Sequence, residues 1–299
     1  MIIFGGSAGE TLAVRTSLLT GMKLGKVKRQ SFPDGEQYLK IEEDIKGQDV
    51  ALIHPLGGRP DQLIMEYLLT IDALKSASPK SISVVVPYLA YARQDARFHP
   101  GEPLSFHLVA KLLEGAGIDR IFTIDVHLQR VPSLKEVFKI PATNLTAVPY
   151  IAEYINRIYQ PKNPIVVGPD DESEQWAKVA AAKIKTDYAV LSKTRFSSTE
   201  VKVKVKGGES VNVKGRDAII IDDIISTGNT IVEAANLVRK EGARKIYVGC
   251  THPVLSLNAL PLMYSNHIEG VVGTDTFAGP ISFVSVAPVI AEALTSKKK

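Results

Sequence analysis

The residue types best arranged for chemistry fall in one run, Ile219-Ile220-Ile221-Asp222-Asp223-Ile224-Ile225-Ser226-Thr227-Gly228-Asn229-Thr230. Ala218 to Ile221 reads as a buried strand, and two adjacent carboxylates follow it. A turn of small residues then opens a helix over about Thr230 to Glu241. In an open parallel sheet, ligands bind beyond the carboxyl ends of the strands. The unpaired amides of Ser226, Thr227, Gly228, Asn229 and Thr230 at a helix N-terminus suit a phosphate. Asp222 and Asp223 can accept hydrogen bonds from sugar hydroxyls beside that phosphate. The competing reading is a strand end with a capped helix that is rich in Asp by chance.

Further candidates are more scattered. Lys193 and Arg195 follow a strand predicted at Ala189 to Leu191 and precede the Ser197-Ser198-Thr199 linker. That context suits a flap hinged on a rigid strand end, or simply two solvated loop charges. Asp125 and His127 stand two apart at the end of a strand predicted over Ile121 to Ile124, which would put them on one face. A hard cation such as Mg²⁺ favours carboxylate or water, with histidine less usual as a direct ligand; a structural, hydrogen-bonded His127 is the alternative. Arg93 and Gln94 offer planar donors for phosphate or adenine edges, or form an ordinary surface loop. Phe32 could stack on a base while Asp34 and Glu36 meet its amino or ribose groups; equally, Pro33 and Gly35 could make this a plain polar turn.

The elements that must position these residues alternate along the chain. Short β-branched runs at Val50 to Ile53, Ile82 to Val86 and Ile121 to Ile124 are separated by helical patterns at about Asp61 to Ala77 and Pro103 to Gly115, with Asp61 and Ser105 as plausible caps. The pattern restarts with strands at Ile165 to Val167, Ala189 to Leu191, Ala218 to Ile221, Ile246 to Val248 and Gly270 to Val272, and a further helix over Glu174 to Lys185. This is the form of an α/β fold with parallel strands, divided near Leu145 to Pro149. Between Lys193 and Lys214, alternating Val and Lys from Val201 to Lys206 before Gly207-Gly208 reads as a solvent-facing antiparallel hairpin.

Composition narrows the classes. The 299 residues are 45% hydrophobic and 23% charged, the usage of a globular chain rather than a disordered or collagen-like one. The formal net charge of +4 includes the terminal Lys297-Lys298-Lys299, so the remainder is near neutral and lacks the basic surplus of a dedicated nucleic-acid binder. An anionic small-molecule substrate needs only a few local cations. One cysteine, Cys250, excludes an intrachain disulfide and fits a reducing cytosol. The apolar run Met1 to Phe4 is too short for a signal peptide, and no stretch reaches the length of a membrane span. The expectation is a soluble, cytoplasmic protein. Gly5-Gly6-Ser7-Ala8-Gly9 lacks the Gly-x-Gly-x-x-Gly spacing, and no Gly-x4-Gly-Lys-Ser/Thr loop occurs, so neither common nucleotide loop is present. His54, His99, His107 and His267 show no zinc spacing and are read as structural.

Asp222 to Thr230 resembles the phosphoribosyl-diphosphate motif of the type I phosphoribosyltransferase fold, and nearly the whole chain is similar to the ribose-phosphate diphosphokinase family. The resemblance is carried in order by Phe32-Pro33-Asp34-Gly35-Glu36, Pro87-Tyr88-Leu89-Ala90-Tyr91-Ala92-Arg93-Gln94-Asp95, Asp125-Val126-His127, Val167-Gly168-Pro169-Asp170, Lys193-Thr194-Arg195 and Thr251-His252. It implies two tandem phosphoribosyltransferase-like α/β domains, each with a mostly parallel sheet flanked by helices: residues 1–146 on the nucleotide side and 147–299 on the ribose 5-phosphate side. It implies Mg²⁺-dependent transfer of the β,γ-diphosphoryl group of ATP to the 1-hydroxyl of ribose 5-phosphate, for nucleotide biosynthesis, with neither nucleic acid nor membrane as partner. By the same resemblance, Phe32, Asp34, Glu36, Arg93 and Gln94 bind ATP, and Asp222, Asp223 and Ser226 to Thr230 bind ribose 5-phosphate. His127 and Asp170 serve the metal, and Lys193 and Arg195 are catalytic. A homo-oligomer is implied too, the Phe32 to Glu36 loop completing a neighbour's adenine site.

Two departures stand out. Where many relatives follow Pro-Asp with a glycine pair, this chain has Asp171-Glu172-Ser173-Glu174, which could bind metal through water or cap the helix before Trp176. Asp95-Ala96-Arg97 lacks the cation often found directly after that aspartate. The rival readings are a phosphoribosyltransferase, which needs no second α/β domain, and an inactive regulatory paralogue, against which Lys193, Arg195, His127 and Asp170 argue.

Overall fold

A computed structural model describes residues 1–128, 130–131, 133–191, 212–256 and 258–296, and the backbone of 203–204. The chain divides into two compact units. The first is Met1–Thr146 together with the stretch from Ser285, and the second is Ala147–Val284.

In the first unit the order is β1 (Ile2–Gly5), α1 (Glu10–Thr20), β2 (Lys23–Leu24), β3 (Val27–Ser31), β4 (Gln37–Ile41), β5 (Asp49–Ile53), α2 (Pro60–Ser76), β6 (Ser81–Val86), α3 (Ser105–Gly115), β7 (Arg120–Ile124) and β8 (Ala142–Leu145). Six strands form a sheet in the order β2-β1-β5-β6-β7-β8 with every pairing parallel. Val50 to Ile53 are fully buried, which is why this strand reads as an unbroken apolar run rather than an alternation. Phe4, Leu52 and Val84 pack with Tyr67 and Ile71 of α2 and Phe106 of α3 on one face. β3 and β4 form a separate antiparallel hairpin, an element with no counterpart in the sequence reading.

The second unit runs α4 (Val148–Tyr159), β9 (Ile165–Gly168), α5 (Glu174–Ile184), β10 (Tyr188–Leu191), β11 (Val203–Lys204), β12 (Ala218–Ile225), α6 (Asn229–Lys240), β13 (Ile246–Pro253), α7 (Ala259–Ser265), β14 (Gly270–Thr274) and β15 (Ser282–Val284). Its sheet has the order β11-β10-β9-β12-β13-β14-β15. Alternate residues of its strands serve two cores: Val167, Ile220 and Val248 pack with Ala234 and Val238 of α6, while Val166, Ile219 and Ile221 pack with Ile151 of α4 and Trp176 of α5. Of the predicted Val-Lys hairpin, Val203–Lys204 pairs antiparallel with β10 (Leu191 opposite Val203); the rest of that run lies outside the described residues.

The last helix, α8 (Ala287–Thr295), packs on α1 and belongs to the first unit. The sequence division had left it in the second domain. Local patterning marks an apolar helix there but carries no information on its distant partner. The fold class is otherwise as the sequence predicts: two α/β units with largely parallel sheets. The two strand orders also match at their centres, β2-β1-β5-β6 against β10-β9-β12-β13. Among the described residues, no helix is long and apolar enough to cross a membrane.

Candidate functional site

In the second unit, β9 continues through α5 to β10 on one side, whereas β12 continues through α6 to β13 on the other. The chain therefore reverses direction between β9 and β12, the switch point at which open α/β sheets bind ligands. β12 pairs with β9 only through Ile220, opposite Val167, but with β13 through Ile225, opposite Pro253. Asp222 and Asp223 thus overhang the end of β9 as members of a strand, not of a loop beyond it. This corrects the predicted strand end at Ile221; Ile224 and Ile225 carry the ladder on with β13. Asp223 is 1% exposed, and its N–H donates to Asp222 Oδ1 at 2.9 Å.

Asp170 follows β9 and joins this group electrostatically. Burial, with the charges of Asp223 and Asp170 next in weight, raises the Asp222 carboxyl well above its ordinary value of 3.8. Asp170 Oδ1 accepts the Ser173 N–H at 3.0 Å, and Ser173 Oγ–H donates to the Asp170 carbonyl at 2.6 Å. The acidic stretch after Asp170 is therefore a 3₁₀ turn over Asp171–Ser173 with Asp170 as its cap, leading into α5.

Because the folded state holds the Asp222 proton more tightly than the unfolded chain does, its contribution to stability is fully present below pH 3.8. It is lost as the pH climbs through the raised value. Asp222→Asn keeps an acceptor for the Asp223 amide and removes the buried charge. It should melt at a higher temperature than the parent at neutral pH without ligands, and the difference should vanish near pH 3.5, below the ordinary value. Equal melting temperatures at neutral pH would show that Asp222 carries no such penalty.

Beyond β12, the turn Ser226–Thr227–Gly228 enters α6. Gly228 has φ +80, so glycine is required there by conformation; an added Cβ would make only ordinary contacts, 3.4 Å from the Ala259 carbonyl and Met263 Cγ. The N-cap of α6 is Gly228, which has no side chain to offer, and its first turn carries no acid; among the described residues only Thr227 Oγ1 accepts an amide there, that of Asn229, at a long 3.5 Å. Its amides are thus suited to an anion. The turn is held from β13: Leu255 N–H donates to Ile225 O at 3.0 Å and Ser256 N–H to Ser226 O at 2.9 Å. Thr227, Asn229 and Thr230 are exposed. A cavity of about 500 Å³ lies on the α6 side of Asp170, lined by Pro169, Leu191, Thr230, Glu233 and Leu237; Asp222 and Asp223 do not line it. Sequence reasoning named Thr251 and His252 without assigning them a task. The Thr251 carbonyl accepts both the Thr274 and Thr276 hydroxyls, at 2.6 and 2.8 Å, and His252 Nδ1 lies 2.8 Å from Thr276 Oγ1, a buried polar brace at the end of β13.

In the first unit, Arg93 and Gln94 follow β6 and His127 follows β7, so all three lie past the carboxyl ends of adjacent strands. Arg93 is exposed, while Gln94 Oε1 accepts the Ser105 hydroxyl at 2.5 Å. Ser105 is thereby engaged with Gln94 and does not cap α3, whose N-cap is Leu104; Asp61 likewise accepts the Tyr91 hydroxyl rather than capping α2. Asp95, 6% exposed, takes Arg130 through its N–H (2.8 Å) and Nη1 (2.9 Å), and that guanidinium lies 4.9 Å from the Phe98 ring centre. Arg97 Nε donates to the Glu102 carbonyl at 3.0 Å. Asp125 has φ +41, so the chain leaves the extended strand there and the shared face expected for Asp125 and His127 does not follow. His127 is half-buried. Phe32, Asp34 and Glu36 occupy the β3–β4 turn. There the Phe32 N–H donates to Glu36 O, Gly35 takes φ +95, and Asp34 Oδ1 accepts the Glu36 N–H at 3.1 Å. The Phe32 ring is 51% exposed. His54 is buried, in keeping with its structural reading. Lys193 and Arg195 lie outside the described residues.

Comparison with known proteins places this geometry. Residues 1–117 match the family model described as the N-terminal domain of ribose phosphate pyrophosphokinase, and residues 133–269 match the phosphoribosyl transferase domain. The chain is 37% identical to the ribose-phosphate pyrophosphokinase of Methanothermobacter thermautotrophicus, covering 98% of this chain and 99% of the relative. It is 38% identical to that of Bacillus caldolyticus, covering 98% and 93%. The crystal structure of phosphoribosylpyrophosphate synthetase from Mycobacterium smegmatis superposes with a TM-score of 0.84 at 31% identity, over 98% of this chain and 97% of the other. With two matching domain models, full-length similarity to these relatives in sequence, and the same architecture over nearly the whole chain, the chain belongs to the ribose-phosphate pyrophosphokinase family.

Proposed function

We propose that the chain transfers the β,γ-diphosphoryl group of ATP to the 1-hydroxyl of ribose 5-phosphate, forming phosphoribosyl diphosphate and AMP. The observation that carries this reading is the overhang of Asp222 and Asp223 beside the glycine-capped N-terminus of α6: one place offers acceptors for sugar hydroxyls and amides for a phosphate. The amides and hydroxyls of Ser226 to Thr230 hold the 5-phosphate, and Asp222 and Asp223 hold the ribose hydroxyls. Arg93 and Gln94 hold the nucleotide, while Phe32, Asp34 and Glu36 read its adenine. Lys193 and Arg195 neutralise charge that builds on the transferring phosphoryl group, which is the main demand of such a reaction once attacker and leaving group are in line.

Mg²⁺ is the expected cofactor. Among the described residues, no three His, Cys, Asp or Glu side chains gather as a metal cage. Mg²⁺ is usually held by one or two carboxylates together with substrate phosphates, and the crowding that raises Asp222 is the kind of site a dication relieves. The residues fit: Asp170 would hold the ion on the sugar side and His127, through water, on the ATP side. When bound, Mg²⁺ supplies neutralisation of phosphate charge. The same reading includes a homo-oligomer in which the exposed Phe32 turn completes a neighbour's nucleotide site.

The test is to incubate the protein with Mg-ATP and ribose 5-phosphate. AMP should accumulate in equal amount to phosphoribosyl diphosphate and only when sugar, nucleotide and divalent cation are all present. ADP in its place would mean monophosphoryl transfer and would reject the reading. Unchanged specific activity in a sample diluted to monomer would reject the shared site.

A further inference from the structure

The first unit has its own switch point, between β1 and β5, and it is filled from within. The loop after β1 closes on the end of β5: Gly6 N–H donates to Ile53 O at 2.9 Å, and a Cβ on Gly6 would fall 1.7 Å from His54 Nδ1. Glu66, 4% exposed, enters this crevice from α2, its Oε1 accepting the Ser7 N–H at 2.7 Å and its Oε2 the Ser7 hydroxyl. A carboxylate of the chain thus sits where an anionic ligand would.

Arg29, the middle residue of β3, reaches the same crevice. Its Nε donates to Glu66 Oε1 at 2.9 Å, Nη1 to Glu10 Oε1 at 2.7 Å and Nη2 to the Gly5 carbonyl. His54 lies behind, donating Nε2–H to Leu63 O at 2.7 Å. Its burial pushes the ring pKa down and keeps it neutral, so Arg29 supplies a full positive charge to the buried Glu66. The β3–β4 hairpin is hydrogen-bonded into neither large sheet. Val27 and Ile41 pack its base on the core and β4 lies against α2, while a cavity of about 340 Å³, lined among others by Gln30, Gln37, Tyr38, Arg59 and Gln62, opens beside its upper part. Packing thus fixes the base of the hairpin, and its largely polar upper part beside the cavity leaves room for a polar tie to fix its angle.

We propose that Arg29 is a positioning residue: its guanidinium, docked in the self-occupied crevice of the first unit, sets the angle at which the hairpin presents Phe32, Asp34 and Glu36 to the nucleotide. The role of those three side chains rests on the proposed function; the tie itself rests on the geometry of Arg29, Glu66, Glu10 and Ser7.

The experiment compares Arg29→Met, Arg29→Lys and the double variant Arg29→Met/Glu66→Gln with the parent. It reads hydrogen exchange of the amides of residues 27–41 and the KM values for Mg-ATP and ribose 5-phosphate. Arg29→Met should speed exchange throughout the hairpin and raise the Mg-ATP KM about tenfold or more, leaving the ribose 5-phosphate KM within about twofold. Arg29→Lys, which keeps the charge and loses the fork, should fall between. The double variant buries no unpaired charge, so it should fold as the parent does and still show the raised Mg-ATP KM. A double variant with parental Mg-ATP KM would show that the single change acted through the stranded Glu66 charge, and would overturn the proposal. Unchanged hairpin exchange in Arg29→Met would overturn it as well, as would faster exchange with an unchanged KM. A parent that makes no AMP would instead reject the proposed function, and hairpin exchange alone would then decide whether Arg29 holds the hairpin.

Discussion

Lys193→Ala should lower kcat by about 10²–10³, a loss of about 3–4 kcal/mol of transition-state stabilisation, while Mg-ATP binding stays near that of the parent. Lys193 is two residues past Leu191, the last residue of β10, and β10 neighbours β9, whose end leads to Asp170. The end of β10 is thus on the same edge of the sheet as Asp170, where the proposed ribose 5-phosphate site opens. Charge on the transferring group grows only as the reaction proceeds, so a donor aimed at it contributes more in the transition state than in the bound complex. The effect therefore falls on kcat. Arg195 should behave alike, and the pair should be less than additive if both cations serve the same oxygens. Were these two residues solvated surface charges, neutralising either would change little. A Lys193→Ala protein with kcat within about threefold of the parent would place the catalytic cations elsewhere.

Asp223→Ala should weaken ribose 5-phosphate binding by about 10²-fold and leave the nucleotide KM almost unchanged. A hydrogen bond to a charged group contributes about 1.5–3 kcal/mol, and a carboxylate facing adjacent ribose hydroxyls accepts two. Under the proposed function the loss belongs to the sugar, because Asp223 stands on β12 beside the turn into α6, in the second unit. Folding should survive, since alanine removes a charge that is buried beside two other carboxylates. Calorimetric titration of ribose 5-phosphate into the variant checks the affinity, and sugar binding equal to the parent's would remove the pocket from β12.

How much of this was legible in the sequence can be judged element by element. Strands buried on both faces, such as Val50 to Ile53 and Ala218 to Ile221, declare themselves by unbroken β-branched runs, and their helices by spacing. The Asp222 to Thr230 motif is local: strand, carboxylates, turn and helix are contiguous, so short-range rules suffice. The end of β12 was misplaced because two adjacent aspartates oppose strand propensity, whereas the ladder to β13 overrides it. The left-handed backbone at Asp125 has no glycine to announce it. The β3–β4 hairpin was hidden by its short, half-exposed strands, although its turn at Pro33-Asp34-Gly35 was visible. Least legible were contacts between distant segments. Glu66 meets Arg29 across 37 residues, and α8 crosses back to α1. No local pattern encodes either.

If the sugar's 1-hydroxyl attacks the β-phosphorus of ATP, one oxygen atom keeps its place through the reaction. Ribose 5-phosphate labelled with ¹⁸O at the 1-hydroxyl is incubated with Mg-ATP and the protein, and the products are read by ³¹P NMR and mass spectrometry. The label should be retained in the bridge between C1 and the diphosphoryl group of phosphoribosyl diphosphate, with unlabelled AMP released. Label in AMP, a bridge that carries less label than the ribose 5-phosphate remaining in the same mixture, or ADP as the nucleotide product, would overturn this route.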